Sequence, residues 1–185
     1  IALTGSSVKK PRYYKTLPCA CIKEFLKENI VGENLRYISG NVLTGTKINP
    51  DGHIGFYDDQ ITVIPEGDKQ DFLGWLTPGF NKFSMSRTFC SWLMPDKKYT
   101  LDTNTHGEER PFVMSGQYED LFPMDIYPVH LLKAIITGDI ELMENLGIYE
   151  VAPEDFALCE YACTSKINAQ EIVRQGLDLV QKECG

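Results

Sequence analysis

Apolar residues in the first half of the chain fall in short, mostly alternating runs; in the second half they recur at helical spacing. The first half therefore predicts strands: residues 12–16, Leu35–Ser39 and 60–64, the last with Ile61/Val63 on one face and Thr62/Ile64 on the other. Between the first two, Pro18 opens a helix whose stripe is Ile22, Phe25, Leu26 and Ile30, and Gly32 stops it. An apolar stretch at 72–76 is broken by Thr77-Pro78-Gly79. Alternation then predicts a long strand at 83–93, with Phe83, Met85, Phe89 and Leu93 on one face, and short strands at 98–101 and 111–116.

Four helices are predicted beyond residue 119. The first runs to about Ile136, with Asp125 as its cap, Pro128 in its first turn and Gly138 as its stop. Asp139 caps the second, which buries Leu142, Met143 and Leu146 and closes at Gly147. Pro153 opens the third, with Glu154 and Asp155 favourably placed for its dipole. Asn168 and Glu171 form a capping box for the fourth, which packs Ile172, Val173, Leu177 and Val180. The resulting class is α+β: a β-rich domain at 1–101, a connecting loop and short strand at 102–118, and a helical domain at 119–185.

Charge sharpens this division. Residues 1–50 carry eight Lys/Arg and three Glu, whereas residues 51–185 carry ten Lys/Arg and twenty-three Asp/Glu. The acidic body argues against nonspecific nucleic-acid binding, and the basic start suits an acidic partner or an anionic surface, or is a solvated face. The six cysteines lack paired zinc spacing, and a reducing, cytosolic setting is the simplest reading. No stretch has the length of a membrane span, and no basic region precedes an apolar run as in a secretory leader. The strand-like opening at Ile1, without an initiating Met, reads as part of something longer.

The chemistry-bearing candidates are few. Cys159 and Cys163 match the third and fourth positions of the cluster-binding run C-x2-C-x2-C-x3-C-P, but Pro153 and Phe156 occupy the first two and Thr164 the last. Two core cysteines one helical turn apart produce the same spacing. The glycine-bearing turn Ser39, Gly40, Asn41, Val42, Leu43, Thr44, Gly45 is a candidate ligand or interface loop, though it lacks the glycine pattern of a phosphate loop. Asp102, His106 and Glu109 offer metal-ligating side chains without a metal-site spacing, and read as a solvated loop. His53 sits in a turn, and His130 reads as a helix-surface residue. Adjacent acids at 58–59, 108–109 and 154–155 read as solvated or capping, and Trp75 and Trp92 as core. No catalytic, cofactor-binding or metal residue is assigned.

Several segments taken together carry a resemblance. They are residues 36–45 (Arg-Tyr-Ile-Ser-Gly-Asn-Val-Leu-Thr-Gly), 56–67 (Phe-Tyr-Asp-Asp-Gln-Ile-Thr-Val-Ile-Pro-Glu-Gly), 72–79 (Phe-Leu-Gly-Trp-Leu-Thr-Pro-Gly), 82–88 (Lys-Phe-Ser-Met-Ser-Arg-Thr), 107–110 (Gly-Glu-Glu-Arg), 123–128 (Pro-Met-Asp-Ile-Tyr-Pro) and 155–163 (Asp-Phe-Ala-Leu-Cys-Glu-Tyr-Ala-Cys). The chain resembles the C-terminal part of the A subunits of bacterial sodium-translocating NADH:quinone reductases. The resemblance implies a β-grasp unit of the soluble-ligand-binding type within about 10–100. It implies a helical domain similar to an iron–sulfur domain without its cluster, with Cys159 and Cys163 as vestigial positions. It also implies a peripheral component on the cytoplasmic side of the bacterial inner membrane. The whole complex would take electrons from NADH to ubiquinone or menaquinone and pump Na⁺, with flavins and iron–sulfur centres on partner subunits and no cofactor on this chain.

Three functions follow as expectations. One is a non-catalytic module serving assembly and quinone access. The second is an independent small-ligand-binding module built on the 39–45 turn. The third is an electron-transfer domain with a cluster on Cys159 and Cys163, drawing on Cys90 and Cys184.

Overall fold

The structure, a computed structural model, describes all residues except 69–72, 75 and 86. Its contacts divide into two units, Ile1–His106 and Gly107–Gly185. The class is α+β: one five-stranded sheet and several helices.

The first unit is built on β1 (Ala2–Thr4), β2 (Arg12–Tyr13), β3 (Leu35–Ser39), β4 (Thr46–Ile48) and β5 (Gln60–Pro65). Their order is β2-β1-β5-β3-β4. The pair β1/β5 is parallel, with Leu3 opposite Ile61, and the remaining pairs are antiparallel. Leu3, Ile61 and Val63 are fully buried and meet Ile22 and Ile54 in one core. Thr62 is buried as well, because its hydroxyl donates to the Gly40 carbonyl at 2.8 Å and so satisfies its polar atom.

The helix expected after Pro18 shrinks to α1, Lys23–Leu26. Lys27 leaves the helical region and Glu28 takes a φ of 57°. The apolar stripe still packs on the sheet, with Ile22 buried and Phe25, Leu26 and Ile30 against the same core. What stops the helix is Asn29. Its buried side chain accepts from the Lys10 amide at 3.0 Å and donates to the Lys10 carbonyl at 2.9 Å. That clamp draws 28–31 out to bridge Val8 and Ile30.

The predicted strand at 83–93 does not form. The chain turns back on itself, with Arg87 at a φ of 54° and a 3₁₀ turn at Cys90–Leu93. The alternating residues Phe83, Met85 and Leu93 are exposed, so the pattern marks surface rather than a buried sheet face, and Trp92 is exposed instead of core. Residues 98–101 are likewise irregular. The stretch predicted at 72–76, and Trp75 with it, falls partly outside the described residues.

In the second unit α2 (Pro128–Thr137), α3 (Ile140–Asn145), α4 (Ala157–Ala162) and α5 (Ala169–Cys184) surround a core that includes Leu131, Leu132, Met143, Phe156 and Val173. Gly138 ends α2 at a φ of 69°, and the Asp139 carboxylate caps α3 by accepting from the Leu142 amide at 3.0 Å. Two expected caps differ. Tyr127, not Asp125, precedes α2, because Pro128 at the first helical position forces the residue before it out of the helical region. The Asn168 side chain does not cap α5; the Glu160 carboxylate of α4 does so, accepting from the Gln170 amide at 3.0 Å, while Glu171 bonds Gln175. Residues 111–116 form no strand. Arg110 instead donates its amide to the Ser165 carbonyl, and the Ser165 hydroxyl donates to the Pro111 carbonyl.

Candidate functional site

Cys159 lies on the inner face of α4 and Cys163 at its C-terminal end, and both are buried. Pro153 and Phe156, in the 3₁₀ turn before α4, occupy the positions where a cluster run would place its first two thiolates. Both are buried, and the Phe156 ring packs on Phe122 with centroids 4.7 Å apart. The Cys159 thiol donates to the Tyr118 carbonyl at 3.8 Å. Burial, with the Glu119 charge and Cys163 adding to it, pushes its pKa up to about 11. At neutral pH it is therefore a thiol, whereas metal binding and nucleophilic chemistry both need the thiolate.

Tyr118 joins the pair. Its hydroxyl is buried without a hydrogen-bond partner. Burial, and next the neighbouring Cys163 thiol, raise its pKa well above the usual phenol value. Sequence spacing did not reveal Tyr118, because it meets Cys159 from 41 residues away. Cys90 belongs to the other unit, and Cys184 is exposed at the end of α5.

The 39–45 turn is held by its own groups. The Asn41 carboxamide oxygen accepts from the amides of Leu43 and Thr44 at 2.7 and 3.0 Å, and its nitrogen donates to the Thr44 hydroxyl at 2.9 Å. Gly40 donates its amide to the Gln60 carbonyl, and Gly45 donates to the Asn41 carbonyl. A Cβ on Gly45 would stand 2.4 Å from the Asn41 carbonyl oxygen, so the turn closes only over glycine. Ser39 is buried at its base, donating to the Asp58 carboxylate and accepting from the Gly55 amide at 2.8 Å. The amides of residues 40, 43, 44 and 45 are thus already bonded within the fold.

The remaining candidates disperse. His106 Nε2 stands 3.7 Å from the Asp102 carboxylate, and Glu109 is exposed. Among the described residues no group of three or more His, Cys, Asp or Glu is placed to hold a metal ion. His53 pairs with Cys21 in an isolated bridge, and His130 is exposed, edge-on to Tyr127. Asp155 caps its turn, accepting from the Ala152 amide at 2.8 Å.

Pattern reading also missed a charge cluster in the first unit. Glu66, just beyond β5, receives the Arg36 guanidinium on both oxygens, with Nε at 3.0 Å, and Lys47 Nζ at 3.3 Å. The Arg36 hydrogen bonds, aided by Lys47, hold its pKa down to about 2 against the opposing effect of burial. The Thr103 hydroxyl donates to Glu66 at 3.3 Å and accepts from the Gly67 amide at 2.7 Å. These partners belong to the same unit, so Glu66 ties the end of β5 to β3 and β4.

A family model described as the NQRA C-terminal domain matches residues 1–49. The chain is 41% identical over 185 residues to the A subunit of the Na(+)-translocating NADH-quinone reductase of Rhodopirellula baltica, 37% over 184 to that of Shewanella frigidimarina, and 38% over 184 to that of Vibrio anguillarum. The chain is thus similar along nearly its whole length to part of these A subunits. Each of these alignments takes in 99% of the chain and 41% of the relative, so the chain spans about two-fifths of the length of the A subunits it matches. Among the described residues no helix is long and apolar enough to cross a membrane.

Proposed function

We propose that this chain serves as a non-catalytic module of a sodium-pumping NADH:quinone reductase, contributing to assembly of the complex and to quinone access. The observation that carries the reading is similarity to named A subunits along 99% of the chain, in a structure whose candidate polar groups are already bonded or protonated. On this reading the chain is a peripheral piece on the cytoplasmic side of the membrane, NADH and a ubiquinone or menaquinone are substrates of the whole complex, and flavins and iron–sulfur centres sit on partner subunits.

The sheet order, its parallel β1/β5 pair and the helix between β2 and β3 support a β-grasp reading of the first unit. The change of unit after His106 supports a connector at 102–118 between a domain at 1–101 and one at 119–185. Phe156 and Pro153 support reading Cys159 and Cys163 as the retained half of a former cluster site, since they fill with core side chains the places where ligands would stand.

Deleting the segment corresponding to this chain from the A component of a bacterial reductase tests the proposal. Loss of the assembled complex, or of Na⁺-stimulated quinone reduction, is the expected result. A complex that assembles and runs at the parental rate overturns it.

A further inference from the structure

Residues 73–101 belong to the first unit, yet none of those described joins its apolar core. The interior of this segment is polar. Ser91 is buried, and its hydroxyl donates to the Lys82 carbonyl. Lys97 Nζ donates to the Phe80 carbonyl at 2.6 Å and to the Asn81 side chain. Tyr99 sets its ring against Phe83, with centroids 5.8 Å apart. These contacts sew residues 80–83 to residues 91–99 and turn the large apolar side chains outward. Trp92, Leu93 and Met94 are 54%, 61% and 46% exposed, and Phe80 and Phe83 are exposed beside them. A concentration of apolar surface that the fold does not use marks a contact site.

We infer that the turn at 89–94, with Trp92, Leu93 and Met94 at its tip, docks into the headgroup layer of an anionic lipid bilayer. Three observations select that partner. Three amides of the tip keep a partner on leaving water: Cys90 donates to Pro78 at 2.9 Å, Trp92 to Phe89 at 3.3 Å and Met94 to Ser91 at 3.0 Å. Residues 80–98 hold Lys82, Arg87, Lys97 and Lys98 against Asp96 alone, a local excess of positive charge in a chain of net charge −8. Two of these cations, Lys82 and Lys97, already donate to carbonyls of the segment itself, at 2.8 and 2.6 Å. They are poorly placed to pair with individual carboxylates of a folded partner, but their charge still adds to attraction by a surface potential. Tryptophan beside long-chain apolar residues and cations is the composition that partitions to this interface.

Co-sedimentation of the 185-residue protein with vesicles tests this. Binding is expected to vesicles of phosphatidylcholine mixed with phosphatidylglycerol, little to phosphatidylcholine alone, and the difference should vanish in high salt. Replacing two of the three tip residues, Trp92→Ala with Leu93→Ala, should weaken binding by about tenfold or more. All these side chains are exposed, so the melting temperature should hold. Charge reversal by Arg87→Glu with Lys98→Glu should remove the lipid selectivity, while Trp92→Phe should retain binding. No sedimentation with the anionic vesicles, or equal binding by parent and the tip and charge variants, overturns the inference and marks the patch as a protein contact. That failure leaves the reading of the chain as a reductase module intact, since deletion of the segment tests it separately.

Discussion

The Cys159 thiol is aimed at the Tyr118 carbonyl, 3.8 Å away, so α4 is tied by a sulfur to a residue 41 positions earlier. Burial, with the Glu119 charge and Cys163 adding to it, keeps that sulfur protonated, the opposite of what a ligand or nucleophile requires.

Thiol accessibility should follow that arrangement. Cys19 and Cys184 are exposed and Cys21 and Cys90 half-buried, whereas Cys159 and Cys163 are buried. Alkylation under native conditions should label the first four and leave Cys159 and Cys163 unmodified until denaturant is added, as peptide mass mapping will show. Early modification of either buried cysteine would contradict the packing described.

Alkali should weaken the helical unit. The Cys159 pKa rises from 9.0 to about 11 on folding, so the folded state holds a proton that the unfolded state loses. Stability should be level below about pH 9, then fall as pH climbs towards 11, by up to about 2 kcal/mol. Cys159→Ala should flatten that part of the profile, read by urea unfolding at stepped pH.

Acid should act on the first unit through Glu66. Its carboxyl titrates at about 2 when folded against an ordinary 4.5, so its contribution is present above pH 4.5 and lost as pH falls towards 2. Glu66→Gln should cost about 1–2 kcal/mol at neutral pH, a modest figure because Lys47 is largely exposed. The variant should also show a shallower acid limb in denaturant titrations.

Asn29→Ala should be among the costliest polar substitutions, at about 2–3 kcal/mol, because it leaves both backbone groups of Lys10 without their partner. Asn29→Asp keeps the acceptor and loses the donor, and should fall between. Chemical denaturation followed by circular dichroism ranks the three proteins.

Gly176→Ala should destabilise despite alanine's better helix propensity. A Cβ there would stand 2.8 Å from Ile135 Cγ1 and 2.9 Å from its Cδ1, where α5 meets α2. The net cost should be about 1 kcal/mol, overpacking set against a propensity gain of similar size. Ile135→Val should relieve part of it, so a double-mutant cycle that gives simple additivity would reject the contact.

Signals confined to a few neighbouring residues were legible in the sequence. Gly138 and Asp139 end one helix and start the next because a left-handed residue and a capping carboxylate act within one turn. Leu35–Ser39 carries its strand in its own pattern, and the spacing of Cys159 and Cys163 marks the inner side of α4 and its C-terminal end, where both are buried. The same local logic failed at 83–93, where alternation without a neighbouring strand produced an exposed turn, and at Asn168, where Glu160 took the capping role.

The chain's residue pattern thus settles class and several helix limits, since each depends on propensities and spacings that act over a turn or less. Folding in three dimensions decided the rest. It brought Tyr118 to Cys159, Arg36 to Glu66 and Asn29 to Lys10, and it turned Trp92 outward. Such pairings depend on which distant groups are left to satisfy a buried polar atom or an apolar face once the backbone has closed, and no short window of sequence contains both partners.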